Sequence, residues 1–248
     1  MRLTVVGCSG SFPGPDGPAS CYLVEADGFR VLLDLGNGAL GALQRYLPLD
    51  DVDAVLLSHL HADHCLDLCP FYVARRYHPD GPRRRIPVLA PAGAADRMAR
   101  AYDLEPQPGM HGEFDFQDWQ EGSRALGPFA VTVARVNHPV EAYGIRLEHA
   151  GRSLTYSGDS DDCHALSALA DRTDLFLCEA AFHEGRDAVP DLHLTGRRAA
   201  QVAARAGVGR LVLTHIPPWN DRMRTLAETD GVYDGPVELA QPGASYEV

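Results

Sequence analysis

Residues 58–68 read Ser-His-Leu-His-Ala-Asp-His-Cys-Leu-Asp-Leu and follow the apolar run Ala54-Val55-Leu56-Leu57. His59, His61, Asp63 and His64 therefore place three imidazoles and one carboxylate within six positions. Neutral imidazole and carboxylate are the groups that borderline dications such as zinc take at catalytic sites. The apolar run reads as a buried strand with a polar loop at its end. Alternate residues His59 and His61 can face one point while Asp63 and His64 turn toward a second. One ion cannot easily use all four, so the pattern implies two metals sharing one loop.

Two metals need further ligands, and strand ends are the rigid places from which side chains converge. His138 closes a strand expected over 129–137, in Val136-Asn137-His138-Pro139. Asp159 follows a strand over 152–157, in Tyr156-Ser157-Gly158-Asp159, and His215 follows one over 210–214, in Leu213-Thr214-His215. A single strand-end Asp is commonly a turn residue. Three ligand-type residues at three strand ends are not explained by turns.

The elements that must position these residues follow from patterning. Strands are expected at 2–7, 20–26, 29–35, 53–57, 86–90, 143–149 and 174–178, besides those above, with two short ones near the C-terminus. Helices are expected at 39–46, 64–77, 94–103, 162–170 and 219–228. Thr195 and Gly207 bound another as N-cap and C-terminal glycine. Residues 104–123, with Pro106, Pro108-Gly109 and Phe114-Asp115-Phe116, read as irregular. No linker or repeat divides the chain, so one α/β domain over 1–248 is expected, with two mixed sheets packed together and helices outside.

Hydrophobic residues make up 45% and charged residues 23% of the 248 positions, ordinary for a globular chain, and no apolar stretch is long enough to span a membrane. The N-terminus is a short strand ended by Gly7 and lacks the pattern of a signal peptide, so a cytoplasmic protein without membrane association is expected. Cys65 and Cys69, beside the metal loop, read as reduced core thiols, with ligation as the alternative. The net charge of −12 disfavours a long nucleic acid. Arg83-Arg84-Arg85 is the main basic cluster and reads as a solvated loop, with a phosphate-facing patch as the alternative.

The order His-x-His-x-Asp-His, then His138, Asp159 and His215, resembles the metallo-β-lactamase superfamily over nearly the whole chain. The resemblance implies a four-layer αβ/βα sandwich. It also implies that His59, His61 and His138 hold one divalent metal, and Asp63, His64 and His215 the other, with Asp159 bridging. The ions implied are two Zn2+, with Mn2+ or Fe2+ as alternatives. Within that superfamily, Cys178-Glu179-Ala180-Ala181-Phe182, His193-Leu194-Thr195 and His138-Pro139-Val140-Glu141-Ala142-Tyr143-Gly144 resemble the ribonuclease Z and cyclic-nucleotide phosphodiesterase branch. That branch makes His193 a proton donor and Glu179 the residue that orients it, so the catalytic set expected is Asp63, Glu179 and His193.

Asp67 stands where the family usually has glycine. Ribonuclease Z enzymes typically carry a tRNA-gripping arm between the residues matched by His138 and Asp159, and here the separation is 21 positions. The expectation is a binuclear phosphodiester hydrolase acting through a hydroxide shared by the metals, on a small substrate of the 3′,5′-cyclic AMP type. Homodimerisation is a further expectation of the resemblance. The alternatives are a carboxylic ester, lactone or thioester hydrolase, a tRNA 3′-processing endonuclease, and a metal-binding or nucleotide-sensing module without turnover. His111 and His183 could reach the pocket. Asp34, Asp53 and Asp67 could orient imidazoles, and Tyr143, Phe182 and Trp219 could stack on a base.

Overall fold

Apolar residues on both sides of a strand need cover on both sides, and the central strands have it. The computed structural model describes residues 1–248. Its first sheet joins seven strands in the order β14 (Ser245–Glu247), β1 (Arg2–Gly7), β2 (Cys21–Ala26), β3 (Phe29–Leu33), β4 (Ala54–Leu56), β5 (Ile86–Ala90), β6 (Phe114–Asp118). Its second joins β13 (Val237–Leu239), β12 (Leu211–Thr214), β11 (Leu175–Glu179), β10 (Arg152–Tyr156), β9 (Tyr143–His149), β8 (Phe129–Arg135) and β7 (Gly122–Leu126). Alternation of period two sends Ala54 and Leu56 of β4 into the core between the sheets, and Val55 to the outer face. In β11, Leu175 and Leu177 likewise face inward while Phe176 and Cys178 face out.

Helices cover both outer faces, which makes four layers. Leu40 and Leu43 of α1 (Ala39–Leu43), Phe71 of α3 (Leu68–Arg76) and Met98 of α4 (Ala94–Ala101) pack on the first sheet. Leu166 of α5 (His164–Leu169) and Ala199, Val202 and Ala203 of α6 (Gly196–Ala206) pack on the second. Thr195 accepts the Arg198 N–H and Gly207 closes the helix in the left-handed region, as expected for α6. No helix is long and apolar enough to cross a membrane.

Strand direction explains where chemistry can gather. β3, β4, β5 and β6 are parallel, as are β10, β11 and β12. β8 pairs antiparallel with β9, and β9 with β10, so β8 runs the same way as β10. The C-terminal ends of β8, β10, β11 and β12 therefore meet along one edge, facing the matching ends of β3 and β4.

Three local expectations change. The helix expected over 64–77 is two pieces, a single turn α2 (Ala62–Cys65) and then α3, because the Leu35 backbone interrupts the ladder: it donates its N–H to the His64 carbonyl at 2.8 Å and accepts the Asp67 N–H at 3.1 Å, while the Asp67 carboxylate accepts the Leu40 N–H of α1 at 2.8 Å. The irregular 104–123 segment contains β6, and β7 starts at its end; both are edge strands whose flanking glycines and prolines hid them. The helix expected from 219 begins at Arg222, where Asp221 caps α7 (Arg222–Ala227) by accepting from Met223 and Arg224 N–H.

Candidate metal centre

The loop after β4 is held open by a carboxylate beneath it. Asp34, at the end of β3 and fully buried, accepts the Ser58 N–H at 2.6 Å and the Ser58 hydroxyl at 2.8 Å. It also accepts the Tyr156 hydroxyl from the opposite sheet at 2.8 Å and faces His64 Nδ1 at 2.7 Å. Tyr22 and Thr214 make a second bond between the sheets at 2.6 Å. Gly36 fits under the turn because it has no side chain: a Cβ there would stand 1.9 Å from the Asp63 carbonyl oxygen. Asp34 and His215 both sit at positive φ, 59° and 54°, conformations that non-glycine residues adopt at some cost and that occur at functional sites.

Seven side chains from the two sheets converge into two groups of four that share Asp159. In the first, His61 Nδ1 lies 3.0 Å from His59 Nε2 and 3.2 Å from His138 Nε2, and Asp159 Oδ2 is 3.6 Å from His59 Nε2. In the second, His215 Nε2 lies 3.0 Å from Asp63 Oδ2 and 3.1 Å from His64 Nε2. Asp159 Oδ1 is 3.3 Å from His64 Nε2. Within each group the ligand atoms are all within 4.8 Å of one another.

Proton placement tests whether this set fits cations. The Ser58 hydroxyl donates to Asp34, so it accepts from His59 Nδ1, 3.1 Å away. His138 Nδ1 donates to the Leu192 carbonyl at 2.9 Å. The Nε2 atoms of His59 and His138 are then bare lone pairs, both aimed at His61 Nδ1, which can give a proton to only one of them. Burial lowers His59, His61 and His138 below the usual imidazole range, which favours neutral rings. Burial resists charge on His64, yet Asp159 and Asp34 raise it well above that range. Burial likewise resists ionisation of Asp159, but His215, His64 and His59 hold it well below the usual carboxylate range. Asp63 is depressed in the same way by His215 and His64, against burial. Asp159 Oδ1 and His215 Nδ1 are buried without a hydrogen-bond partner. Ionised carboxylates, inward lone pairs and orphaned atoms together call for positive charge between them, and an imidazole and carboxylate donor set fits a divalent metal site.

His193 stands at the margin of both groups, its ring centre 5.6 Å from those of His138 and His215. Its Nδ1 is 2.8 Å from Glu179 Oε1. Glu179, fully buried at the end of β11, also accepts N–H bonds from Ser160 and Ala181. Burial would lower His193, but the Glu179 carboxylate overrides it and pushes the imidazole up to about 9.

The other candidates separate clearly. Cys65 donates its thiol to the His61 carbonyl, and both Cys65 and Cys69 sit in the outer core, as core thiols. His111 packs against Phe116, and buried His183 lies 3.3 Å from Glu228, so neither belongs to the cluster. Tyr143 is buried with its hydroxyl on Glu141, and no stacking face is left free. Asp53 accepts from Arg30 N–H and pairs with Arg84, away from the imidazoles. Arg83, Arg84 and Arg85 pair with Asp50, Asp53 and Asp115, which leaves no open phosphate patch. Patterning missed Ser58 and Tyr156, although both lie inside motifs it quoted; a polar tip at a buried strand end was the available signal.

A family model described as a beta-lactamase superfamily domain matches residues 29–216. An uncharacterized protein of Mycobacterium tuberculosis is 44% identical over 100% of this chain and 92% of its own length. A ribonuclease Z of Mycolicibacterium gilvum is 30% identical over 96% of this chain and 93% of its own. The crystal structure of the metallo-beta-lactamase fold protein YhfI from Bacillus subtilis aligns with a TM-score of 0.90 at 27% identity, covering 100% of this chain and 99% of that one.

Proposed function

This chain belongs to the beta-lactamase superfamily, and from that premise we propose that it is a metal-dependent phosphodiester hydrolase acting on small cyclic nucleotides of the 3′,5′-cyclic AMP type. His59, His61 and His138 would hold one cation, Asp63, His64 and His215 the other, and Asp159 both. Zinc is the first choice for these donors, and manganese and iron(II) suit them as well. Divalent cations bound there supply Lewis acidity toward phosphoryl oxygens and make hydroxide available at neutral pH.

The chain's own residues do the rest. Asp34 fixes the His64 tautomer, Ser58 that of His59, and the Leu192 carbonyl that of His138, so each ring offers its lone pair inward. His193, held protonated at neutral pH by Glu179, gives its Nε2 proton to the departing alkoxide oxygen as the P–O bond breaks. The Nδ1 proton stays on the ring and is donated to Glu179 Oε1 throughout, so the transfer leaves a neutral imidazole still held by that hydrogen bond. The Glu179–His193 pair at the edge of the cluster is the observation that carries this reading, because an alkoxide leaving a phosphodiester needs such a donor.

A small substrate is favoured over tRNA by the segment between His138 and Asp159. The hairpin of β9 and β10, joined by Ala150-Gly151, occupies most of it and leaves no room for an arm. The net charge of −12 points the same way. Metal-replete protein assayed against cyclic nucleotides, pre-tRNA, a lactone and a thioester tests the proposal. Turnover is expected on the cyclic nucleotides; hydrolysis confined to the carbonyl substrates or to pre-tRNA would overturn it.

A further inference from the structure

Trp219 is 65% exposed, although aromatic side chains are the largest apolar groups a fold can bury. Its ring packs on that of Phe12 with centres 4.7 Å apart and planes inclined by 46°. Both rings are tied to His215. Trp219 follows it through Ile216-Pro217-Pro218, and consecutive prolines stiffen the backbone between them. Phe12 follows Ser11, whose N–H lies 3.4 Å from His215 Nε2. Gly10 presses on the His215 carbonyl so closely that a Cβ would stand 2.3 Å from its oxygen.

The pair also joins the proton-donor side. Asn220 donates its side-chain amide to the Ala181 carbonyl at 2.7 Å, and Phe182 meets the His193 ring edge-on at 5.0 Å. One rigid rim thus runs from Phe12 and Trp219 to His193. Charge on this rim is already satisfied: Arg186 is paired with Asp187, and Arg224 with Glu228.

We infer that Trp219, backed by Phe12, is a stacking platform for the nucleobase of the substrate, which makes a base-bearing phosphodiester the substrate class rather than a sugar or alkyl phosphodiester. This inference rests on the phosphodiesterase reading above. The flat face of any base can use such a platform, and a purine covers more of it than a pyrimidine. Preorganised rings lose little freedom when they stack, and the base gains about five- to 150-fold in apparent affinity.

The test compares 3′,5′-cyclic AMP with the same cyclic ribose phosphate lacking its base, and titrates Trp219 fluorescence with 5′-AMP. Wild-type protein is expected to show a KM at least fivefold lower for the base-bearing compound. Trp219→Ala is expected to collapse that ratio toward one, and Trp219→Phe to keep part of it. The other tryptophan, Trp119, is buried with its N–H on the Leu57 carbonyl, so quenching by 5′-AMP should vanish in Trp219→Phe. A ratio near one in the wild type, or a ratio that survives in Trp219→Ala, overturns the platform. Hydrolysis of neither compound would instead refute the phosphodiesterase reading. The fluorescence titration then decides the platform by itself, and unquenched emission overturns it.

Discussion

Replacing His193 with Ala separates proton donation from metal holding. The substitution removes the imidazole that bonds Glu179 at the margin of the cluster, but none of the seven side chains in the two groups that share Asp159. Glu179 keeps its N–H donors from Ser160 at 3.1 Å and Ala181 at 3.0 Å, so its buried carboxylate is not left bare. Loss of a general acid typically costs about 10²–10⁴-fold in rate, or roughly 3–5 kcal/mol of barrier. That cost depends on the leaving group. A ribose alkoxide needs the proton and should show the whole loss, whereas p-nitrophenolate leaves without it and should show little. The assay is kcat for cyclic AMP and for bis(p-nitrophenyl) phosphate, with metal content measured on the same samples. Because the His193 imidazole is pushed up to about 9, it keeps its proton through neutrality. Wild-type turnover of the alkyl ester should therefore fall as pH rises through about 9, and His193→Ala should lack that limb. The sign for stability is the same: a value raised from the ordinary 6.5 contributes fully below about 6.5 and is lost as pH climbs through 9. Equal losses on the two esters, or loss of metal from the variant, would refute the assignment.

Asp159→Ala should abolish binding of both cations, since each group of four loses the carboxylate it shares; elemental analysis showing two retained ions would remove Asp159 from the bridge. Asp34→Asn keeps the shape but lets an amide N–H face His64 Nδ1, so metal affinity measured by competitive chelation should fall about 10–100-fold; an unchanged affinity would show that the tautomer of His64 is set elsewhere. Chelation of metal-replete protein should lower its Tm, and added zinc should restore it, because cations that bind only the folded chain stabilise it by mass action. A Tm indifferent to both treatments would mean that the inward lone pairs are satisfied by protons alone.

The layered fold was legible wherever a strand is buried on both sides or a helix carries clear end signals. Ala54–Leu57 and the Thr195–Gly207 helix show this best. Legibility failed at two of the four sheet edges, those made by β6 and β7; the short edge strands β13 and β14 were expected. β7 is a polar, exposed strand, and β6 alternates Phe with Asp and Gln inside a glycine- and proline-rich stretch. Pairing with a neighbour, which no local pattern records, is what makes them strands. The break before α3 was hidden for a related reason: the His64 carbonyl and the Asp67 N–H pair with the backbone of Leu35, about thirty positions upstream, and the Asp67 carboxylate with the Leu40 N–H, 27 positions away.

For the site, types and strand ends were sufficient to select the seven residues of the two groups that share Asp159, because the C-terminal ends of strands running in one direction must lie on one edge; Glu179 and His193, which converge with His215, were not selected in that way. The resemblance then supplied the grouping and the roles of His193 and Glu179. Nothing local could rank Asp34 above Asp53 and Asp67, since all three are acids at or near element boundaries. What distinguishes Asp34 is the company it keeps: Ser58, 24 positions away, and Tyr156, 122 positions away on the other sheet. The carboxylate that orients His64 is thus also a bond between the sheets, directly under the cluster. Sheet packing and imidazole orientation are therefore coupled, and a change that shifts one sheet against the other should loosen the metal groups before it unfolds the core.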